Sequence, residues 1–246
     1  TDDVEVSEPS TDHPPWDYYE DGSTYPYWMG IGYGAKGVTP LRWYGIGFRW
    51  TGITVPQGAI ITSANLMVCE YGGLDTGWIR TKITGAAQDN APTFSGLSDY
   101  NSRPRTSASV NWDTSATWDA PCWYTSPNIA PVIQEIVNRP GWSSGNAIAI
   151  FWEDRDGLSV SYRRIHAYDY FPQYAAKLQI TYTLNTPPNA PTLNSPAENA
   201  RFDPSASITF TWTFNDPDAG DSQSAFQFQL DDNADFSSPI IDTGKV

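Results

Sequence analysis

At 246 residues the chain has room for one large β domain, or for one such domain and a smaller second. Its net charge of −14, with 14 Lys plus Arg, argues against a nucleic-acid partner, since binding a phosphate backbone needs clustered basic residues. The same deficit argues against anionic lipid, and no apolar run is long enough for direct membrane insertion. Gly 19 and Pro 20 are spread along the chain, which suits many short strands joined by turns. Aromatics reach 14% of residues, more than a core usually needs, and an acidic surface low in Lys fits cation binding, life outside the cell, or simple solubility.

The first thirty residues are acidic and then crowded with aromatics. Asp2, Asp3 and Glu5 are expected in a solvated terminus. Trp16, Tyr18, Tyr19, Tyr25, Tyr27 and Trp28 stand among prolines and glycines with no helical or strand period, so an ordered loop with at most one short strand is expected. Such rings can stack on sugar faces or meet another subunit, and they can equally close the end of a sandwich. Gly30, Gly32 and Gly34 alternate without the βαβ setting of a dinucleotide site and predict a strand with a bulge or close backbone approach.

The chain is organised around residues 44–69. Tyr44, Ile46, Phe48 and Trp50 share one parity, and Ala64, Leu66 and Val68 share another, which predicts two half-buried strands. Between them, Pro56 and Gly58 shape a turn. Residues 78–86 and 106–112 predict further strands, separated by a long polar loop at 88–105. Residues 126–139 predict the one helix: Ser126 can cap it, Pro127 suits its first position, and Ile129, Val132, Ile133, Ile136 and Val137 form one apolar stripe. Trp142 is expected to pack beneath this helix, residues 146–152 predict a buried strand, and 159–166 and 177–183 the last strands of this domain.

Residues 185–191, with three prolines, predict a linker between a domain at 1–184 and a second at 192–246. Strands are expected at 206–214, 225–230 and 240–242. That is too little for a complete immunoglobulin-like sandwich, so the second domain is expected to be partial or completed by strand addition from another chain.

Phe48-Arg49-Trp50, residues 53–59 (Ile-Thr-Val-Pro-Gln-Gly-Ala) and Ile61-Thr62-Ser63-Ala64-Asn65-Leu66 resemble the DNRLRE-type β-sandwich family, which is related to carbohydrate-binding modules. The likeness continues through residues 106–112, 132–139 and 141–147 to Arg164, Ala167-Tyr168-Asp169 and residues 175–178. The second domain is similar to fibronectin type III or immunoglobulin-like modules, on Phe214-Asn215-Asp216-Pro217-Asp218 and the residues to Gln223. The resemblance implies an all-β protein: a jelly-roll-like sandwich followed by an immunoglobulin-like one. It implies a non-enzymatic structural or adhesion role on a secreted surface or a virion, with copies of itself or other surface proteins as partners. A carbohydrate-binding module of a larger secreted hydrolase is the alternative.

Asp216, Asp218 and Asp221 cluster in a turn shaped by Pro217 and Gly220, and hard cations take such oxygen ligands, so calcium is the cofactor to consider. A solvated turn is the other reading. Asp154 and Asp156 are a weaker pair, with Arg155 between them. Cys69 and Cys122 are the two cysteines and are candidates for a disulfide. No nucleophile elbow, zinc-protease helix motif or phosphate loop is present, His166 is expected as a surface or edge histidine, and no catalytic residue is assigned.

Overall fold

The computed structural model describes residues 2–9, 18–20, 28–34, 42–72, 76–119, 123–169, 171–203, 205–218 and 221–246. The chain divides into two compact units, Thr1–Leu184 and Asn185–Val246. The first unit contains strands β1 (Asp2–Pro9), β2 (Tyr18–Glu20), β3 (Trp28–Gly34), β4 (Arg42–Trp50), β5 (Ile60–Cys69) and β6 (Thr81–Gly85). After them come helix α1 (Leu97–Ser102), β7 (Val110–Asn111), β8 (Trp123–Thr125), helix α2 (Ala130–Val137), β9 (Ile148–Asp154), β10 (Tyr162–His166) and β11 (Lys177–Thr183). The second unit contains β12 (Thr192–Ser195), β13 (Thr211–Thr213), β14 (Gln229–Leu230) and β15 (Ile241–Asp242).

The protein is all-β, and the first unit is a sandwich with a short amphipathic helix. Its large antiparallel sheet runs β10-β3-β4-β9-β6-β7, with β1 on β4 and β2 on β1, and its small sheet runs β11-β5-β8. The turn at Gly58, which has a φ of 75°, carries the chain from one sheet to the other rather than closing a hairpin. The sheets are joined at a corner, where Glu70 bridges Ile165 and the Tyr71 amide donates to the Arg164 carbonyl.

The parity of β4 and β5 sets the main core. Ile46 and Phe48 face Leu66 and Val68 across the sandwich, and Ile150 and Trp152 of β9 join them. Helix α2 lays Val132, Ile133 and Ile136 on the same core. It is clamped by Gln134, which accepts from the Ile61 amide and donates to the Ala59 carbonyl. The helix begins later than its sequence suggests: Ser126 accepts from the Leu66 amide instead of capping, and Pro131 rather than Pro127 stands in its first turn. Trp112, Trp118, Trp142 and Trp152 are all buried, so part of the aromatic excess is core.

Residues 88–105 are not the polar loop expected. They contain α1 and build a second core on the opposite face of the large sheet, where Phe94 and Tyr100 meet Val4, Val6, Ala149 and Phe151. This explains why β9 is buried along its whole length: both of its faces are covered. β1 is likewise no solvated terminus. It pairs with β4 from Asp2↔Arg49 to Pro9↔Arg42, and Asp3 and Glu5 are buried. The Tyr168 amide donates to Asp3 Oδ2 at 2.9 Å, and the Gly30 amide donates to Glu5 Oε2.

In the second unit β12 pairs with β13 and β14 with β15, giving two two-stranded antiparallel sheets. Rings pack between the pairs, Phe210 on Phe228 at 4.7 Å and Trp212 on Phe226 at 5.0 Å. No described residue of this unit is buried.

Candidate functional site: an aromatic platform at the sheet corner

The glycines of β3 prepare the corner. Gly32 has a φ of 101°, and a Cβ on it would lie 2.5 Å from the Ser161 carbonyl oxygen, so no other residue lets β3 and the chain entering β10 approach this closely. The β3–β10 register sets Trp28 beside His166, Gly30 beside Arg164 and Gly32 beside Tyr162. Residues paired in this way share a face. Tyr162, Arg164 and His166 therefore project together over a strand that offers glycine for its side chains, with Trp28 at the end.

The result is a half-buried ring platform. Trp28 stacks with Tyr71 and with Tyr162, each at a centroid separation of 6.4 Å and interplanar angles of 28° and 21°. The Arg164 guanidinium lies 5.8 Å from the centroids of both Trp28 and Tyr162. His166 completes the cluster, edge-on to Tyr71 and Phe171 and tilted against Tyr174 at 4.8 Å. It stands on the edge strand β10, one of its two expected places, but is buried, and burial holds its imidazole below the usual histidine range, so it is neutral at pH 7.

Of the aromatic residues singled out in the sequence, Trp28 enters this platform. Tyr18 and Tyr19 belong to β2, with Tyr19 opposite Val6 of β1. Trp16, Tyr25 and Tyr27 lie outside the described residues. Tyr71, Tyr162, Phe171 and Tyr174 were not singled out. The alternation Tyr162-x-Arg164-x-His166 is the signal that marks a common face, whereas Tyr71 and Phe171 come from loops and Tyr174 from a single 3-10 turn, and they leave no period to read.

A second surface lies on the small sheet. Lys177 Nζ stands 4.0 Å above the Trp123 ring, and the register places Gln179 beside Asn65 and Thr181 beside Ser63. This face is rich in amides and hydroxyls.

The acidic turn is real as a cluster: ligand atoms of Asp216, Asp218 and Asp221 all lie within 4.8 Å of one another. Two of the three carboxylates also hold the local backbone. Asp218 Oδ2 accepts from the Thr186 amide at 2.5 Å, and Asp216 Oδ1 from the Asp218 amide at 2.8 Å. Asp154 and Asp156 serve a different turn. Arg80 grips Asp156 at 2.6 and 3.0 Å, which holds that carboxyl below the usual range, and Asp154 accepts from the Gly157 amide and the Ser159 hydroxyl. Arg155, between the two, reaches across to Asp113 at 2.7 Å and also pairs with Asp156 at 3.3 Å. Cys69 is buried beside Trp123 in the β5–β8 register, and Cys122 lies outside the described residues.

No family model and no curated protein matches the chain. None of the helices of the described residues is long and apolar enough to cross a membrane.

Proposed function

We propose that the chain is a non-enzymatic structural and adhesion module of a cell surface or virion, acting through contacts of the Trp28 platform with a neighbouring protein. The observation behind this reading is the stack of Trp28, Tyr71 and Tyr162 with Arg164 alongside, a half-buried array of flat rings and a cation drawn from three separate segments. Aromatic residues and Arg are the side chains that dominate protein interfaces, because they bury large area at small entropic cost. The resemblance to secreted and virion sandwich modules supports the same reading. Its test is a Trp28→Ala and Tyr162→Ala pair of variants, followed by retention of the chain on the particle or cell wall from which it is isolated. Both substitutions should release it while its melting temperature stays near the parent value. Undiminished retention overturns the reading.

The alternative, a carbohydrate-binding module, rests on the small sheet. A Trp beside amide and hydroxyl side chains suits a sugar ring, with one apolar face to stack and polar edges to bond. It predicts saturable binding of an insoluble polysaccharide that Trp123→Ala abolishes and Trp28→Ala leaves intact.

A further inference from the structure

The second unit is built as half of an enclosure. Phe210 packs on Phe228 and Trp212 on Phe226, and with Phe214, Leu230 and Phe236 these rings line a cleft of about 580 Å³. These are core side chains in type and alternation, yet no described residue of the unit is buried, and Leu193 at the cleft is 59% exposed. Each sheet has two strands, so β13 and β14 each keep one edge without a partner strand among the described residues. Two-stranded sheets are marginal in water, and an open edge beside an apolar floor is where an added strand gains both backbone bonds and burial.

Charge selects the occupant. The unit has nine acidic residues against two basic, Arg201 and Lys245, a net charge of −7. Asp231 lines the cleft itself, and further acids stand in the turns that follow its strands. The ring pairs Phe210–Phe228 and Trp212–Phe226 show that β13 and β14 cross in opposite directions. The turn after β13, with Asp216, Asp218 and Asp221, is therefore at one end, and the turn after β14, with Asp231, Asp232 and Asp235, is at the other. A second copy of this chain, at −14 overall, meets like charge at each mouth.

We propose that this cleft receives an extended strand from a different protein, apolar at alternate positions and basic at both ends. About five residues span the floor, at roughly 3.3 Å each, with side chains of one parity laid on the rings and Lys or Arg at the two acidic turns. The site is separate from the Trp28 platform and does not depend on it.

The test uses the whole chain and a fluorescein-labelled synthetic nonapeptide in which Val and Thr alternate between two Lys at each end. Its controls are the same peptide with Glu for Lys, and one N-methylated on alternate amides so that it cannot pair with an edge. The Lys peptide should bind saturably by anisotropy and more weakly as salt rises, with both controls about tenfold or more weaker. Phe236→Ser, at a half-exposed cleft ring, should weaken it about tenfold and leave unfolding of the first unit unchanged. Absence of binding, or binding indifferent to charge and to N-methylation, overturns the proposal. So does a concentration-dependent dimer in sedimentation that Phe236→Ser abolishes, which makes a second copy the occupant. A longer form of the polypeptide whose added segment blocks the peptide overturns it as well.

Discussion

Gly47 of β4 lies directly beneath Phe94: a Cβ placed on it would stand 2.7 Å from Phe94 Cζ and 2.9 Å from Tyr100 Cε2. The bare backbone of the large sheet at this point is the floor on which the segment 88–105 builds its core. Gly47→Ala should therefore destabilise the first unit by about 2 kcal/mol, because packed rings cannot retreat without leaving their rotamers. Denaturant unfolding followed by tryptophan fluorescence measures this. An unchanged midpoint would mean that the 88–105 layer is loose rather than packed.

The same layer is pinned by a charge pair. Glu153 Oε1 accepts from Arg105 Nη2 at 2.8 Å and from the Tyr100 hydroxyl at 3.0 Å, and the Arg105 guanidinium lies 3.4 Å from the Phe151 ring centroid. Burial, together with the Glu153 charge, pushes the Tyr100 phenol well above its usual range, so it remains a donor at any ordinary pH. Arg105→Ala removes the charge partner of Glu153 in a site that is nearly closed to water and should cost about 2–3 kcal/mol, under the usual range for a broken buried pair since Arg105 is partly exposed and the Tyr100 hydroxyl remains. Arg105→Ala with Glu153→Gln should recover part of the loss. If the double variant is as unstable as the sum of the singles, the pair is not coupled.

Asp3 makes stability depend on pH in an unusual direction. Burial pushes its carboxyl up to about 7, opposed by the Tyr168 amide and reinforced by Asp169 and Asp2. A carboxyl raised above its unfolded value near 3.8 is a burden on the native state at high pH, where it is ionised in both states. As pH falls below about 7, the native state takes the proton first, so this group adds stability between about 7 and 4. The full effect approaches 4 kcal/mol at about 1.4 kcal/mol per unit. Asp99 and Asp156 act the other way, since hydrogen bonds outweigh burial at Asp99 and dominate at Asp156, holding both below 3.8; their contributions fade only in stronger acid. Unfolding free energy should thus be larger at pH 5 than at pH 8, and Asp3→Asn should flatten the difference. Equal slopes in the parent and Asp3→Asn would remove Asp3 as the cause.

How far the sequence discloses this molecule depends on whether a residue's partner is local. The parity of Ile46 and Phe48 and of Leu66 and Val68 places four core residues correctly, because a strand's two faces are written in its own alternation. The stripe of α2 is legible for the same reason. The second core is not, since its apolar residues, Ala91, Phe94 and Tyr100, have no period and meet a floor made of glycine in a distant strand. Asp3 and Glu5 look like solvated acids because their partners are backbone amides of Tyr168 and Gly30, which carry no signature in composition. Of the platform, Trp28 stands out by its aromatic company, whereas Tyr71 joins it only through the corner at Glu70 and Ile165, and Tyr174 only from the turn that follows β10.

The two units should differ sharply in hydrogen exchange. Amides of β9 lie in a strand bonded on both edges and covered on both faces, so they open only with the whole first unit, at a cost of several kcal/mol. Amides of β13 and β14 lie in two-stranded sheets with no buried residue around them, and they should open locally at little cost. Protection at residues 148–154 should exceed that at 211–213 and 229–230 by about a thousandfold or more, read by mass spectrometry on the intact chain. Addition of the basic alternating peptide should raise protection in the second unit and leave the first unchanged. Comparable protection in both units without the peptide would show that the second unit already holds a closed core, and the half-enclosure reading would fall with it.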